Sequence, residues 1–250
     1  MSDPIRINKY LSNHGYCSRR EADRLVKLGK VFVNDEPAEL GTKVTEDDTV
    51  RVEGRDRKKP PKKIYILLNK PVGFITTTDR SKNDNVMDLI DLEERVYPVG
   101  RLDVQSCGLL MFTNDGVLAN RLMHPRYEHE KEYVVVVDQP LDKLAIGTMQ
   151  SGVDLDDGRT LPTKVRKLGP NKFAIILREG RNRQIRRMCA ALGYKIVSLK
   201  RTRIGTLKII SSYPEGQWRH LTEKEVRDLK KLVELDPGPP PKQKKKRKKR

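Results

Sequence analysis

The residue best placed to do chemistry in this chain is a single carboxylate. Asp103 stands in the run GRLDVQSCGLLMFTNDG at residues 100–116, between Gly100 and Gly108 and two places after Arg101. An ionised aspartate in a tight turn beside a cation can serve as a nucleophile or as a general base. The same setting suits a turn aspartate that bonds its own backbone, and the residues alone leave both readings open. Ser106 and Cys107 are nucleophile types. However, no GxSxG elbow surrounds the serine, and no histidine lies near either in sequence. Asp115, in Asn-Asp-Gly, reads as a hairpin turn. His14, His124, His129 and His220 form no pairing that suggests catalysis and read as structural or surface groups. Cys17, Cys107 and Cys189 make no CxxC pair and have no histidine at ligand spacing, so neither a metal site nor a disulfide framework is expected. No Walker A loop and no strand-linked GxGxxG is present, which removes the usual nucleotide-cofactor motifs.

The elements that must hold Asp103 follow from apolar runs and turn residues. Residues 64–68 read as a buried strand followed by a Pro/Gly turn, 96–102 as extended, and 108–113 as a strand. A helix is expected over 117–123, a strand over 132–137, a helix over 141–151 and a strand over 172–177. Residues 182–192 read as a helix with Ile185, Met188, Cys189 and Leu192 on one stripe, and a last helix spans 226–235. Strands and helices mix without a βαβ rhythm, so the class is α+β.

Ahead of these, Ser18-Arg-Arg-Glu21 reads as a capping box that starts a helix at Arg19, after an earlier helix over 7–13. Ala22, Leu25 and Val26 share one face of it; Arg20, Arg24 and Lys27 share the opposite one. Gly29 stops it, and short strands at 31–33 and 49–52 flank a turn at Asn34-Asp35.

Of the net charge of +18, residues 1–52 contribute none, 53–63 contribute +4, 64–235 contribute +7 and 236–250 another +7. A strongly basic chain points to a polyanion partner. No apolar run approaches membrane-span length and no signal peptide is visible, so a cytoplasmic protein with no membrane partner is expected. The segment 54–63 reads as a basic linker between domains at 5–53 and 64–235, and 236–250 as a disordered basic tail. Within the second domain, residues 178–203 hold nine bases against one acid. Arg183 and Arg187, at i and i+4, are expected to face phosphate, while Arg186, beside Ile185, lies near the buried edge.

Residues 7–54, INKYLSNHGYCSRREADRLVKLGKVFVNDEPAELGTKVTEDDTVRVEG, resemble a small S4 (αL-type) RNA-binding domain along their whole length. GRLDVQSCGLLMFTNDG resembles the active-site motif of RNA pseudouridine synthases of the RsuA/RluB/RluE/RluF group. LLNKPVGFITT (67–77), HEKEYVV (129–135), GRNRQIRRMCAALGYKIVSLKRTRIG (180–205) and EGQWRHLT (215–222) match that family in order. Ser106 stands where many members have Thr. The resemblance implies a pseudouridine synthase fold, with a mixed, mainly antiparallel sheet and flanking helices. It implies that Asp103 is the essential aspartate, Tyr133 the aromatic that stacks on the target base, and Arg186 the basic partner of the carboxylate. An arginine beside the carboxylate favours its charged form and fixes its rotamer. RNA contacts are then expected from Arg19, Arg20, Arg24, Lys27, Arg101, Arg183 and Arg187.

The reaction is an isomerisation in which nothing is oxidised and no group is supplied, so no cofactor and no metal are expected. The similarity is greatest to the large-subunit ribosomal RNA branch, with transfer RNA as a second candidate substrate, and a monomer is expected. The competing reading is a non-catalytic S4-type RNA chaperone or ribosome-assembly factor on the same fold. A basic hydrolase using Asp103 lacks a second carboxylate at any recognisable motif position.

Overall fold

The computed structural model describes residues 3–55, 62–210 and 212–234, so most of the expected linker and all of the expected tail lie outside the described residues. The chain divides into two units, residues 1–63 and 64–250.

The first unit opens with β1 (Ile5–Arg6), α1 (Ile7–Asn13) and α2 (Arg19–Lys27). Four short strands follow: β2 (Val31–Val33), β3 (Glu36–Pro37), β4 (Lys43–Val44) and β5 (Val50–Val52). Ala22, Leu25 and Val26 of α2 pack on Ile7, Tyr10 and Leu11 of α1 and on Val31, Val44 and Val52. The Ser18 hydroxyl accepts from Glu21 N at 3.0 Å, which caps α2. The box is only half formed, because the Glu21 carboxylate turns to Arg24 and Arg55. His14 is buried and stacks on Tyr10, a structural role. Asn34 and Asp35 both take positive φ, the conformation a two-residue hairpin loop requires.

Among the described residues the second unit has eleven strands, nine of them in one sheet and two in a small separate hairpin. They begin with β6 (Tyr65–Lys70), β7 (Tyr97–Pro98) and β8 (Cys107–Thr113), then α3 (Gly116–Met123), a 3-10 turn at Pro125–Tyr127, and β9 (Lys131–Val137). Next come α4 (Lys143–Ser151), the small hairpin β10 (Asp154–Leu155) and β11 (Gly158–Arg159), β12 (Lys164–Gly169) and β13 (Lys172–Leu177). The unit ends with α5 (Gln184–Ala191), β14 (Ile196–Ile204), β15 (Leu207–Lys208), β16 (Trp218–His220) and α6 (Glu223–Glu234). The main sheet runs β12-β13-β9-β14-β8-β6-β16, with β7 beside β8 and β15 beside β14. Every pair of named strands in it is antiparallel except β14 with β8.

Both β6 and β8 are buried on both faces, which explains their near-continuous apolar runs. Tyr65, Leu67, Leu109 and Met111 pack with α3 and α6; Ile66, Leu68, Leu110 and Phe112 pack with Val86, Ile90, Val96 and Leu102. A third core joins β9 and β13 to α4 and α5 through Val135, Phe173, Met149, Ile185 and Met188.

Gly108 is required where β8 meets β14. Its φ is +101°, and a Cβ there would lie 2.3 Å from the carbonyl oxygen of Arg201. Asp115 corrects the expected hairpin turn. It is the N-cap of α3, accepting from Val117 N and Leu118 N, so the chain turns from strand into helix instead of reversing.

The final helix starts three residues earlier than its apolar stripe suggested, because Thr222 and Glu225 form a reciprocal capping box. The Arg219 fork grips the same carboxylate, at 2.7 and 2.8 Å, and holds the Glu225 pKa at about 2. A depressed carboxylate stabilises the fold above its unfolded pKa near 4.5, and that contribution fades as pH falls toward 2. Glu225→Gln is therefore expected to cost roughly 1–2 kcal/mol at neutral pH. Urea unfolding at pH 7 and pH 3 should show the gap to wild type narrowing by more than half at the lower pH.

Candidate active site

Asp103 sits in the turn that leads into β8, closed by Ser106 N donating to Asp103 O at 3.0 Å. What fixes this turn is a set of side-chain donors aimed at its backbone carbonyls. Lys70, closing β6 and fully buried, donates from Nζ to Pro71 O at 2.9 Å, Asp103 O at 3.3 Å and Ser106 O at 2.9 Å. Arg186 on α5 donates from Nη2 to Gln105 O at 2.8 Å and Ser106 Oγ at 3.2 Å. Arg201 on β14 donates from Nε to Leu109 O at 2.8 Å and from Nη1 to Arg101 O at 3.4 Å. Thr76 exchanges bonds with Leu102, and Gly73 N donates to Val104 O. A loop tied by its carbonyls keeps its shape whatever its side chains do, and that is the condition for holding a reactive group in place.

The carboxylate itself accepts no hydrogen bond among the described residues, so it is not a turn aspartate bonded to its own backbone. Oδ2 lies 3.7 Å from Arg186 Nε and 3.8 Å from Arg183 Nη1. Both ion pairs fall on one oxygen, and Asp103 lines a cavity of about 310 Å³. Asp103, Tyr133, Arg101, Arg183, Arg186 and Arg201 all contribute to its wall. Tyr133 comes from the middle of β9, directly across from Arg201 on β14 and Ile175 on β13.

Burial is the largest influence on two of the cations that hold the turn, Lys70 and Arg186. It pulls the Lys70 pKa down to about 8, partly opposed by Cys107 and Asp103, and it lowers Arg186, with Arg183 adding to the effect and Asp103 opposing it. Cys107 is buried and its thiol pushed up, so it is poorly suited to act as a nucleophile. Among the described residues no group of three or more His, Cys, Asp or Glu is placed to hold a metal ion.

Three expectations need correction. Helix α5 begins at Gln184, because Arg183 takes a left-handed backbone, φ 47°. Arg183 and Arg187 therefore do not form one i, i+4 phosphate face: Arg183 turns to Asp103, whereas Arg187 pairs with Asp156 at 3.0 Å and Asp157 at 2.8 Å. Its guanidinium is already neutralised, and it is not an open phosphate contact. On α2, Arg20 and Lys27 are exposed as expected, but Arg24 is forked onto Glu21 and Arg19 donates to Asn8 Oδ1.

Lys70 and Arg201 are the residues that the sequence reading missed. The one available signal for Lys70 was an Asn-Lys pair set directly between a buried apolar run and a Pro/Gly turn. For Arg201 it was an arginine at an inward position of a strand whose other charges mask its period.

The sequence model of the family described as RNA pseudouridylate synthase matches residues 64–191, and that of the S4 domain matches residues 5–50. The chain is 44% identical over 232 residues to the dual-specificity RNA pseudouridine synthase RluF of Escherichia coli strain K12, covering 92% of this chain and 80% of that protein. It is 38% identical over 240 residues to the ribosomal large subunit pseudouridine synthase B of Bacillus subtilis strain 168, covering 92% of this chain and 97% of that protein. A crystal structure of a pseudouridylate synthase superimposes with a TM-score of 0.68 at 28% identity, covering 90% of this chain and 99% of its own.

Proposed function

The chain belongs to the RNA pseudouridine synthase family, with an S4 domain ahead of the catalytic unit, and we propose that it isomerises one uridine of large-subunit ribosomal RNA, with transfer RNA as a second substrate. The observation that carries the site assignment is one cavity lined by Asp103, Tyr133 and Arg186, delivered from a loop, a central strand and a helix. In this reading the target uridine leaves its stack and enters the cavity, since neither its sugar nor its C5 can be reached inside a helix. Asp103 acts at the sugar, attacking C1′ or taking the 2′ proton. The N1–C1′ bond breaks with its electron pair on the ring, the ring turns, and C5 bonds to C1′, displacing Asp103 where the carboxylate had bonded there, or with the 2′ proton returned from Asp103 to C2′ where it had been taken. The proton at C5 leaves, with Tyr133 placed to receive it, and N1 ends protonated. Atoms and electrons balance within the nucleotide, so the stoichiometry calls for no cofactor.

Arg186 holds the carboxylate and the turn at once. Arg101 and Arg183, on the cavity wall, suit the phosphates flanking the flipped nucleotide. Arg20 and Lys27 offer a separate cationic face on the S4 unit. The name of the Bacillus subtilis relative supports the ribosomal choice, and a cytoplasmic location goes with it.

Mapping pseudouridine in total ribosomal and transfer RNA, from cells with and without this gene, tests the assignment. Loss of one large-subunit position is the expected result. An unchanged map together with intact RNA binding would favour the chaperone or assembly-factor reading.

A further inference from the structure

Arg201 is 3% exposed, lies within β14, and lines the cavity that holds Asp103 and Tyr133. It stands across from Tyr133 in the β14–β9 register and against Gly108 in the β14–β8 register, so its backbone is fixed from both sides. Two of its three guanidinium nitrogens are used on the carbonyls of Leu109 and Arg101. The third, Nη2, is buried and has no hydrogen-bond partner among the described residues. No carboxylate among the described residues pairs with this arginine; the charged groups that feel it, Lys70 and Lys131, are cations. A buried charged donor left unmatched is costly, and buried polar groups are almost always satisfied. An orphan N–H on a cavity wall is therefore a place for a ligand acceptor.

The position within the cavity narrows what that acceptor is. Asp103 takes the sugar side of the nucleotide in the reading above, on which this inference rests. Arg201 is the cross-strand partner of Tyr133, whose ring takes the base side in that reading, and both line the cavity. The acceptors a uracil ring offers there are its two carbonyl oxygens. When N1–C1′ breaks with its electrons on the ring, both oxygens become more negative, so a donor fixed at one of them binds the detached ring more tightly than the substrate. We propose that Arg201 Nη2 donates to a ring carbonyl oxygen of the flipped uracil and holds the base while it is detached and turned. Lysine cannot replace it fully, since a point charge on a single stem cannot keep the two backbone bonds and also reach the ring.

The test replaces one carbonyl oxygen of the target uridine by sulfur, at C2 or at C4, in an otherwise identical RNA, because sulfur is the weaker acceptor. Single-turnover rates are measured for wild type and for Arg201→Met on the unmodified RNA and both thio RNAs. In wild type, one of the two substitutions should slow the reaction by about tenfold or more. In Arg201→Met that penalty should shrink to about twofold or less, with the penalty at the other position unchanged. Each penalty is a ratio within one protein, so a reduced folded fraction in the variant cancels. Arg201→Lys provides the same comparison if the methionine variant does not fold. Equal penalties in wild type and variant at both positions would overturn the contact. Failure of wild type to form pseudouridine in the unmodified RNA would instead remove the enzymatic reading, and the contact with it.

Discussion

Asp103→Asn is expected to abolish pseudouridine formation while RNA affinity stays within a few fold of wild type. The substitution keeps size and polarity and removes only the charge that acts at the sugar. The turn should survive it, because the hydrogen bonds from Lys70, Arg186 and Arg201 to its backbone carbonyls do not depend on the charge of the carboxylate. Loss of the reacting group in other enzymes costs on the order of 10⁴-fold or more, which sets the scale here. Turnover by quantitative pseudouridine mapping, alongside filter binding of the same RNA, separates the two quantities. Residual turnover near wild type would move the reacting group elsewhere in the cavity.

Arg186→Ala should be the second most damaging change, and far worse than Arg187→Ala. Arg186 has a side chain only 14% exposed, faces Asp103 Oδ2, and carries two of the bonds that shape the turn. Breaking a fully buried pair costs about 3–5 kcal/mol; with Asp103 one-third exposed, roughly 2–3 kcal/mol is expected, or about 30- to 150-fold in turnover. Arg187 instead closes ion pairs with Asp156 and Asp157 at the β10–β11 hairpin, so its loss should touch stability slightly and turnover hardly at all. Arg183→Ala, which leaves Arg186 in place, should fall between them. Single-turnover rates of the three variants make the comparison, and equal losses from Arg186 and Arg187 would refute the orientation of α5 described above.

The glycine-flanked polar segment between two apolar strands singled out Asp103, but those residues alone left a turn aspartate open, and its role was read from the resemblance of the motif to the family. The α5 stripe of Ile185, Met188 and Cys189 was legible because periodicity reports burial directly. Where the sequence was silent, the reason is local. β14 sets Lys200, Arg201 and Arg203 among its few apolar residues, and a strand that lines a charged cavity loses the hydrophobic signature that normally reveals it. Arg183 takes a left-handed backbone that helix propensity disfavours, and this shifted the start of α5 and the aim of its first arginine. The engagement of Arg187 depends on two aspartates about thirty residues upstream, a contact that no short-range spacing encodes.

The order of strands has a consequence for how the enzyme is made. β14 lies between β9, which carries Tyr133, and β8, which follows Asp103, yet it is translated after both. Roughly seventy residues separate Tyr133 from the end of β14, and ribosomal elongation at about 5–20 residues per second spends several seconds on them. Until β14 inserts, the nascent chain holds two separate half-sheets, one with the aspartate and one with the tyrosine. A product that terminates before residue 196 therefore cannot modify RNA, however well each half folds, and it exposes two unpaired strand edges of the kind that chaperones and proteases recognise.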